Sequence, residues 1–154
     1  MSLKTYKQKR KFSRTPEPKP KSKGGVVKGK LGSLSFVVHE HHATHLHWDL
    51  RLEIGGVLKS WAIPKKPPKA KGVKRLAIHV EDHPIDYAKF QGVIPEGNYG
   101  AGKVKIWDKG NYELESKKPN KIVFELHGKK LKGKYVLVKT GYGGKKKGWL
   151  FFKV

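Results

Sequence analysis

Between residues 45 and 54 polar and apolar side chains alternate without a break, which predicts a β-strand with two unlike faces. One face carries Leu46, Trp48, Leu50, Leu52 and Ile54, and the other lines up His45, His47, Asp49, Arg51 and Glu53. Any half-buried antiparallel strand alternates in this way, so the information lies in which polar residues were used. Lys is the commonest charged residue of the chain, yet this face has none. It offers imidazoles, a carboxylate and a guanidinium instead.

The same reading predicts further strands at 34–38, 57–63, 75–81, 103–107, 112–115, 122–126, 135–139 and 149–154. Gly55-Gly56 between two alternating runs signals a tight hairpin. Pro64-Lys65-Lys66-Pro67-Pro68 breaks the sheet, and only residues 86–90 suggest a helical turn of consequence. About eight short antiparallel strands with closely spaced turns predict an all-β barrel or sandwich over residues 34–154. Residues 1–33 are rich in Lys and Pro, contain Glu17 as their single acid and lack periodicity; they read as a basic, largely flexible N-terminal arm. Within it, Phe12-Ser13-Arg14-Thr15-Pro16-Glu17-Pro18 mixes an aromatic residue with that acid and is the part expected to fold back on the domain.

Charge narrows the function class. Thirty-five Lys and Arg stand against 12 Asp and Glu, a formal charge of +23, which points to a polyanion and most simply to nucleic acid. No apolar run approaches the roughly 20 residues of a membrane-spanning helix, and Met1-Ser2-Leu3-Lys4 does not open a signal peptide. With no Cys there is neither a disulfide framework nor a thiolate zinc site, so a cytoplasmic protein is expected. A length of 154 residues suits one domain and a tail, and a monomer is the expected state.

On the polar face, His47 and Asp49 sit two residues apart, about 6 to 7 Å along the pleat, and can converge on one metal ion. A third ligand is needed, and His41, His42 and His45 all lie close enough in sequence to supply it. Three protein ligands leave positions for water and substrate, the catalytic arrangement. Arg51, one of only four Arg, follows one pleat further on with the planar fork that fits phosphate oxygens. A second cluster is Glu81-Asp82-His83-Pro84, in which proline pushes His83 into an extended conformation that can project into a cleft. There His83 is a candidate phosphate ligand, or a general acid with a pKa near neutrality; Tyr87 could donate its phenol to a phosphate oxygen.

Gly97-Asn98-Tyr99-Gly100-Ala101-Gly102-Lys103-Val104 has phosphate-loop spacing, but Val104 stands where a Ser or Thr would hold magnesium, and a strand rather than a helix follows. Nucleoside triphosphate binding is therefore rejected, and the glycines are read as a tight loop of close approach. Lys-rich stretches at 65–66, 69–74, 129–134 and 145–147 predict a positive rim. Trp61, Trp107 and Trp149 are assigned to core packing rather than to base stacking.

These motifs resemble the 3'-phosphoesterase domain of bacterial ATP-dependent DNA ligase D and its free-standing relatives. The likeness runs through Phe36 and the His41-to-Arg51 pattern, Ser60-Trp61-Ala62-Ile63-Pro64-Lys65, Lys74-Arg75-Leu76-Ala77 and Val80-Glu81-Asp82-His83-Pro84-Ile85-Asp86-Tyr87. It continues in Ile94-Pro95-Glu96-Gly97-Asn98-Tyr99-Gly100-Ala101-Gly102, Trp107-Asp108-Lys109-Gly110, Trp149-Leu150 and, in the arm, Lys9-Arg10-Lys11-Phe12 and Thr15-Pro16-Glu17-Pro18. The resemblance implies a compact, closed or nearly closed antiparallel β-barrel. It also implies manganese-dependent healing of DNA or RNA/DNA 3' ends, by removal of a terminal ribonucleoside and then a 3'-phosphate, with Co2+ or Zn2+ as substitute ions. Carried over, His41, His47 and Asp49 are the metal ligands. Arg51, His83 and Tyr87 hold phosphate with support from Lys65, Arg75 and Glu81, while Arg10, Glu17 and His39 contact substrate. Two positions depart: Lys11 stands where many relatives have Asp and His39 where they often have Gln, both tied in the family to the ribonucleoside step. The implied partners are a separate DNA ligase, a polymerase or primase and an end-binding protein. The competing class is a noncatalytic nucleic-acid-binding barrel whose histidines hold a structural metal.

Overall fold

The computed structural model describes residues 3–12, 15–18, 34–140 and 147–154. Among them the elements are α1 (Lys4–Gln8), β1 (Leu34–His42), β2 (Leu46–Ile54), β3 (Val57–Ile63), β4 (Lys74–His83), a 3-10 turn (Ile85–Lys89), β5 (Gly92–Ile94), β6 (Gly102–Lys118), β7 (Lys121–His127), β8 (Lys132–Lys139) and β9 (Gly148–Lys153). The sheet runs β1-β2-β3-β4-β9-β8-β7-β6, and β6 pairs back onto β1, closing an eight-stranded antiparallel barrel with short β5 on its margin. Closure removes the exposed edges that a free sheet would present. No described helix is long and apolar enough to cross a membrane.

The alternation of β2 divides inside from outside as its pattern requires. Trp48, Leu50, Leu52 and Ile54 join Phe36, Val38, Trp61, Tyr112, Phe124, Tyr135, Leu137 and Phe151 in the barrel core. Phe124, Tyr135 and Phe151 lie nearly parallel, with ring centroids 5.0 to 6.5 Å apart. Trp61 and Trp149 belong to this core, with Trp107 packed against it. Full burial of each large side chain contributes roughly 1.5 to 3 kcal/mol. Gly55 and Gly56 take φ of 63° and 83°, which suits the two-residue turn joining β2 to β3.

Two expected boundaries move. The segments read separately as 103–107 and 112–115 form one 17-residue strand, β6. The residues between them, Lys109-Gly110-Asn111, are extended and pair with β1. Gly110 is required there by close approach, because a Cβ would lie 2.3 Å from the His127 carbonyl oxygen. Asp108 beside it is buried and accepts the backbone N–H groups of Lys109, Lys129, Lys130 and Leu131 at 2.8 to 3.1 Å, fastening the β7–β8 turn. Strand β1 reaches His42 rather than ending at residue 38, which changes the setting of His41.

Outside the barrel wall a second apolar cluster gathers Tyr6, Leu58, Tyr87, Phe90, Ile94 and Val104, with Leu3 and Phe12 packed on it. Residues 3–12 and 15–18 therefore dock on the barrel, so the fold-back expected from Phe12 to Pro18 begins earlier, at Leu3; the rest of that arm, and Lys145-Lys146 of the basic rim, lie outside the described residues. A five-residue helix is too short to display a 3.6-residue period. What holds it is tertiary: fully buried Tyr6 donates its hydroxyl to the Pro18 carbonyl. This outer layer packs over Arg51 and His83, with the Tyr87 ring on the guanidinium and Tyr6 and Tyr87 against the imidazole.

Candidate active site

Cross-strand register assembles the polar face from two strands rather than one. Val37 pairs with Arg51, His39 with Asp49 and His41 with His47, so His39 and His41 share the face of His47, Asp49 and Arg51. The chain reverses through the bend at residues 43–45, which makes His41 the direct cross-strand neighbour of His47. Strand β3 adds Ser60 opposite Arg51. Where β4 pairs with β3, the two steps from Leu58 to Ser60 face three from His83 to Val80, so β4 carries one extra residue that re-aims the chain, bringing His83 to the same face.

His41, His47 and Asp49 form a group whose ligand atoms lie within 4.8 Å of one another. Asp49 Oδ2 is 3.3 Å from His47 Nε2 and 3.7 Å from His41 Nδ1. The outer ring nitrogens fix the tautomers: His41 Nε2–H donates to the Gly100 carbonyl at 2.7 Å, and His47 Nδ1–H to the His45 carbonyl at 2.9 Å. Each ring then turns an unprotonated nitrogen toward the same carboxylate oxygen, the arrangement that second partners impose on metal-binding histidines. Two imidazole lone pairs and a carboxylate oxygen facing inward repel one another unless a cation or proton sits among them. The donor set fits a divalent transition ion.

His42, an alternative third ligand by sequence, turns away and pairs with Glu40 at 2.6 Å, while His45 is exposed and contributes its carbonyl. Glu53 completes the polar row structurally, accepting the Ser35 N–H and hydroxyl at 3.0 and 2.9 Å.

Arg51 is the hub of the deeper half. Its Nη2 lies 3.4 Å from Asp49 Oδ2, its Nη1 donates to Ser60 Oγ at 2.9 Å and approaches His83 Nδ1 at 3.3 Å, and its Nε donates to His39 Nδ1 at 3.1 Å. The docked segment supplies a second guanidinium. Arg10 donates to Glu17 at 2.7 Å and to Glu81 at 3.2 Å, lies 4.0 Å from the Tyr6 ring centroid, and reaches His83 Nε2 at 3.3 Å. Glu17 also accepts the hydroxyls of Tyr87 at 2.6 Å and Thr15 at 2.9 Å, and Lys9 bridges Glu81 and Tyr99. Together Arg10, Glu17, His41, His47, Asp49, Arg51, Glu81, His83 and Tyr87 line one cleft of about 240 Å³.

The electrostatics follow from burial among charges. Burial favours the neutral acid of Asp49, but the Arg51 charge, together with the hydrogen bonds that His41 and His47 give when a proton takes the place of the ion, outweighs it and holds its pKa well below the ordinary value. For His47, burial works against charge, yet Asp49 and the His45 carbonyl prevail and raise its pKa. A proton and a divalent ion compete for that nitrogen, so ion affinity falls with pH. Burial, then Arg51 and Arg10, depress His83 well below 6.5. It is therefore neutral at pH 7, which departs from the expectation of a pKa near neutrality.

Tyr87, His39, Lys65 and Arg75, four further residues assigned from the sequence, take the following places. The Tyr87 hydroxyl donates to Glu17 at the edge of the cleft, and its ring lies 4.7 Å from the Arg51 guanidinium. His39 is fully buried outside the cleft lining, donating through Nε2 to the Phe90 carbonyl at 3.0 Å and accepting from Arg51 Nε through Nδ1. Lys65 and Arg75 are not brought to the metal group. They line a neighbouring cleft with Lys74, because the Pro64 turn carries Lys65 past the end of β3 and Arg75 lies five residues before Val80 on β4. Lys11 is exposed. Ser60, Thr15, Tyr6 and the Gly100 carbonyl are working parts that sequence reading missed. None carries a residue-type signal.

Two predictions arise here. His39→Ala should cost about 1 to 3 kcal/mol in urea unfolding, leaving Arg51 Nε unpaired, and roughly 10- to 100-fold in whatever activity depends on Arg51. His39→Gln should recover most of both, since its amide can accept from Arg51 and donate to Phe90; equal losses in the two variants would contradict the positioning role. The second concerns pH. Burial and the Arg51 charge lower His39 to about 3, and His83 is lowered as well, so below pH 6.5 the unfolded chain takes up protons that the folded one refuses. Stability of metal-depleted protein should fall from pH 6.5 toward 4, by up to about 1.4 kcal/mol per pH unit for each imidazole. His47, shifted upward, acts only above pH 6.5, where its contribution is lost as pH rises. Urea midpoints at pH 7, 6 and 5 check this, and a flat or rising profile toward acid would refute it.

A closed antiparallel barrel with a His-His-Asp donor group and two buried guanidinium groups on its outer wall defines a protein equipped to hold a divalent ion beside an anion. The chain belongs to the DNA ligase D 3'-phosphoesterase domain family, whose model matches residues 39–139. It is 46% identical over 142 residues, 90% of the chain, to the multifunctional non-homologous end joining DNA repair protein LigD of Mycobacterium tuberculosis strain H37Rv, and covers 18% of that protein. It is 45% identical over 159 aligned positions to the multifunctional non-homologous end joining protein LigD of Pseudomonas aeruginosa (98% of the chain, 18% of the relative). It is equally similar to LigD of Mycolicibacterium smegmatis (96% of the chain, 20% of the relative). The chain thus spans about a fifth of the length of the curated relatives it matches.

Proposed function

We propose that the protein is a metal-dependent phosphoesterase that heals DNA 3' ends, removing a 3'-phosphate and, at some ends, a terminal ribonucleoside, to leave a 3'-hydroxyl for ligation. The supporting observation is the charge balance of the cleft. Lys9, Arg10 and Arg51 face Glu17, Asp49 and Glu81, so the side chains alone are close to neutral. A divalent ion held by His41, His47 and Asp49 adds the two positive charges that a phosphate monoester of nearly two negative charges requires.

Mn2+ is the proposed ion, with Co2+ and Zn2+ as substitutes that the same donors accept. When bound, it supplies Lewis-acid stabilisation of charge on the phosphoryl oxygens. Arg51, already aligned by His39, Ser60 and Asp49, binds a phosphate oxygen without reorganising. Neutral His83 stands between Arg10 and Arg51, and an arriving phosphate dianion offsets the charges that keep it unprotonated. The O3'–P bond breaks, water gives its oxygen to phosphorus, and a proton passes to O3'. Lys65, Lys74 and Arg75 are proposed to neutralise phosphates further along the strand, and the partners are a ligase, a polymerase or primase and an end-binding protein.

Polymerase extension tests this reading. A primer ending in a 3'-phosphate, incubated with protein and Mn2+, should become extendable, and chelation should prevent it. A primer that stays blocked with every divalent ion tried would leave the noncatalytic binding barrel as the better account.

A further inference from the structure

The charged residues of the cleft account for its floor, and its lip is of another kind. Ala43, Ile94 and Tyr99 line the same cleft, and Tyr99 keeps 47% of its surface exposed. It belongs to neither apolar cluster, so core packing does not explain an aromatic residue there. Its placement is tied to the candidate ligands, because the next residue, Gly100, gives its carbonyl to His41 at 2.7 Å.

The loop that presents the ring is held by its own backbone. Gly97 and Gly100 adopt φ of 86° and 74°, Asn98 donates through N and Nδ2 to the Pro95 carbonyl, and Ala101 N–H donates to Asn98. Lys9 Nζ lies 4.6 Å from the ring centroid and 3.2 Å from the hydroxyl, and the Arg10 guanidinium lies 5.4 Å from the centroid. The outcome is a half-exposed aromatic plane, steadied by cations, standing above a cationic floor. Phosphate below and an aromatic plane at the rim match the two halves of a nucleotide, since a nucleobase stacks on an aromatic side chain without regard to sequence.

We infer that Tyr99 is the stacking platform for the nucleobase of the terminal nucleotide, which makes the substrate a base-bearing strand end rather than any phosphomonoester. The inference rests on the phosphoesterase reading above and adds a specificity-determining residue to it.

The test uses the full chain with Mn2+ and two oligonucleotides that differ only in their last unit, a 3'-phosphorylated deoxyadenosine or a 3'-phosphorylated abasic sugar. Wild type should favour the base-bearing end in kcat/KM by roughly five- to a hundredfold. Tyr99→Ala and Tyr99→Leu should bring that ratio close to one, whereas Tyr99→Phe and Tyr99→Trp should keep it. An unchanged ratio in Tyr99→Leu, which preserves bulk but not the π face, overturns the inference, as does a loss in Tyr99→Phe equal to that in Tyr99→Leu. If wild type turns over neither substrate, the hydrolase reading falls, and stacking is judged from binding alone. With 2-aminopurine as the last base, quenching on binding that is absent in Tyr99→Leu supports the platform, and equal quenching refutes it.

Discussion

Asp49→Ala is expected to abolish phosphate release from a 3'-phosphate primer, by on the order of a thousandfold or more, and to abolish Mn2+ binding with it. The reason is geometric. One oxygen, Oδ2, is the point on which His41, His47 and Arg51 converge at 3.7, 3.3 and 3.4 Å. It provides the only negative charge of the donor group, so without it two neutral imidazoles would have to hold the ion beside a guanidinium that repels it. Asp49→Asn separates charge from shape. Of nearly the same volume, the amide should fold like wild type in thermal melts while remaining inactive. Retention of more than about a tenth of wild-type turnover by Asp49→Asn would mean that this carboxylate does not ligate, since even removal of outer partners typically costs 10- to 100-fold.

Arg51→Ala should be nearly as severe in activity and more severe in stability. Arg51 is buried, with partners on four sides in Asp49, His39, Ser60 and His83, and it lies over the Tyr87 ring. Removing it strands the Asp49 carboxylate in a dry site, a change that costs about 3 to 5 kcal/mol when one member of a buried pair is lost. Arg51→Lys restores the charge but not the planar fork, and it cannot serve His39, Ser60 and Asp49 together. It should therefore recover part of the stability and little of the activity, with kcat/KM still down by about a hundredfold or more. Urea unfolding and steady-state kinetics on both variants check this pair of expectations. Full activity in Arg51→Lys would reduce Arg51 to a diffuse counter-charge.

How far the site could be read in advance depended on whether its parts share a strand. The face of His47, Asp49 and Arg51 was legible because a period of two places them together without knowledge of the fold. The third ligand was not. His41, His42 and His45 were equivalent by spacing, and family resemblance rather than geometry favoured His41. The register that pairs His41 with His47 belongs to β1 against β2 and has no signature in either strand. The two-glycine hairpin was visible as local chemistry, whereas the continuity of β6 through Gly110 was not, because a glycine needed for close approach looks the same as one in a turn. Arg10 and Glu17 entered only through motif likeness, since their partners Glu81, His83 and Tyr87 lie about seventy residues away. The state of His83 was invisible for the same reason: burial beneath the docked segment and two arginines from distant segments set it. The Gly100 carbonyl belongs to the backbone, where residue type says nothing.

The most direct test of the central claim, that the outward polar face of β1 and β2 is a metal-dependent phosphoesterase site, is inorganic phosphate release from a 3'-phosphate DNA primer titrated with Mn2+, with wild type and Asp49→Ala in parallel. The account predicts release that saturates with Mn2+ in wild type, disappears with chelator, and is absent in Asp49→Ala at every concentration. Release by Asp49→Ala equal to wild type, or none by wild type with any divalent ion, would contradict it.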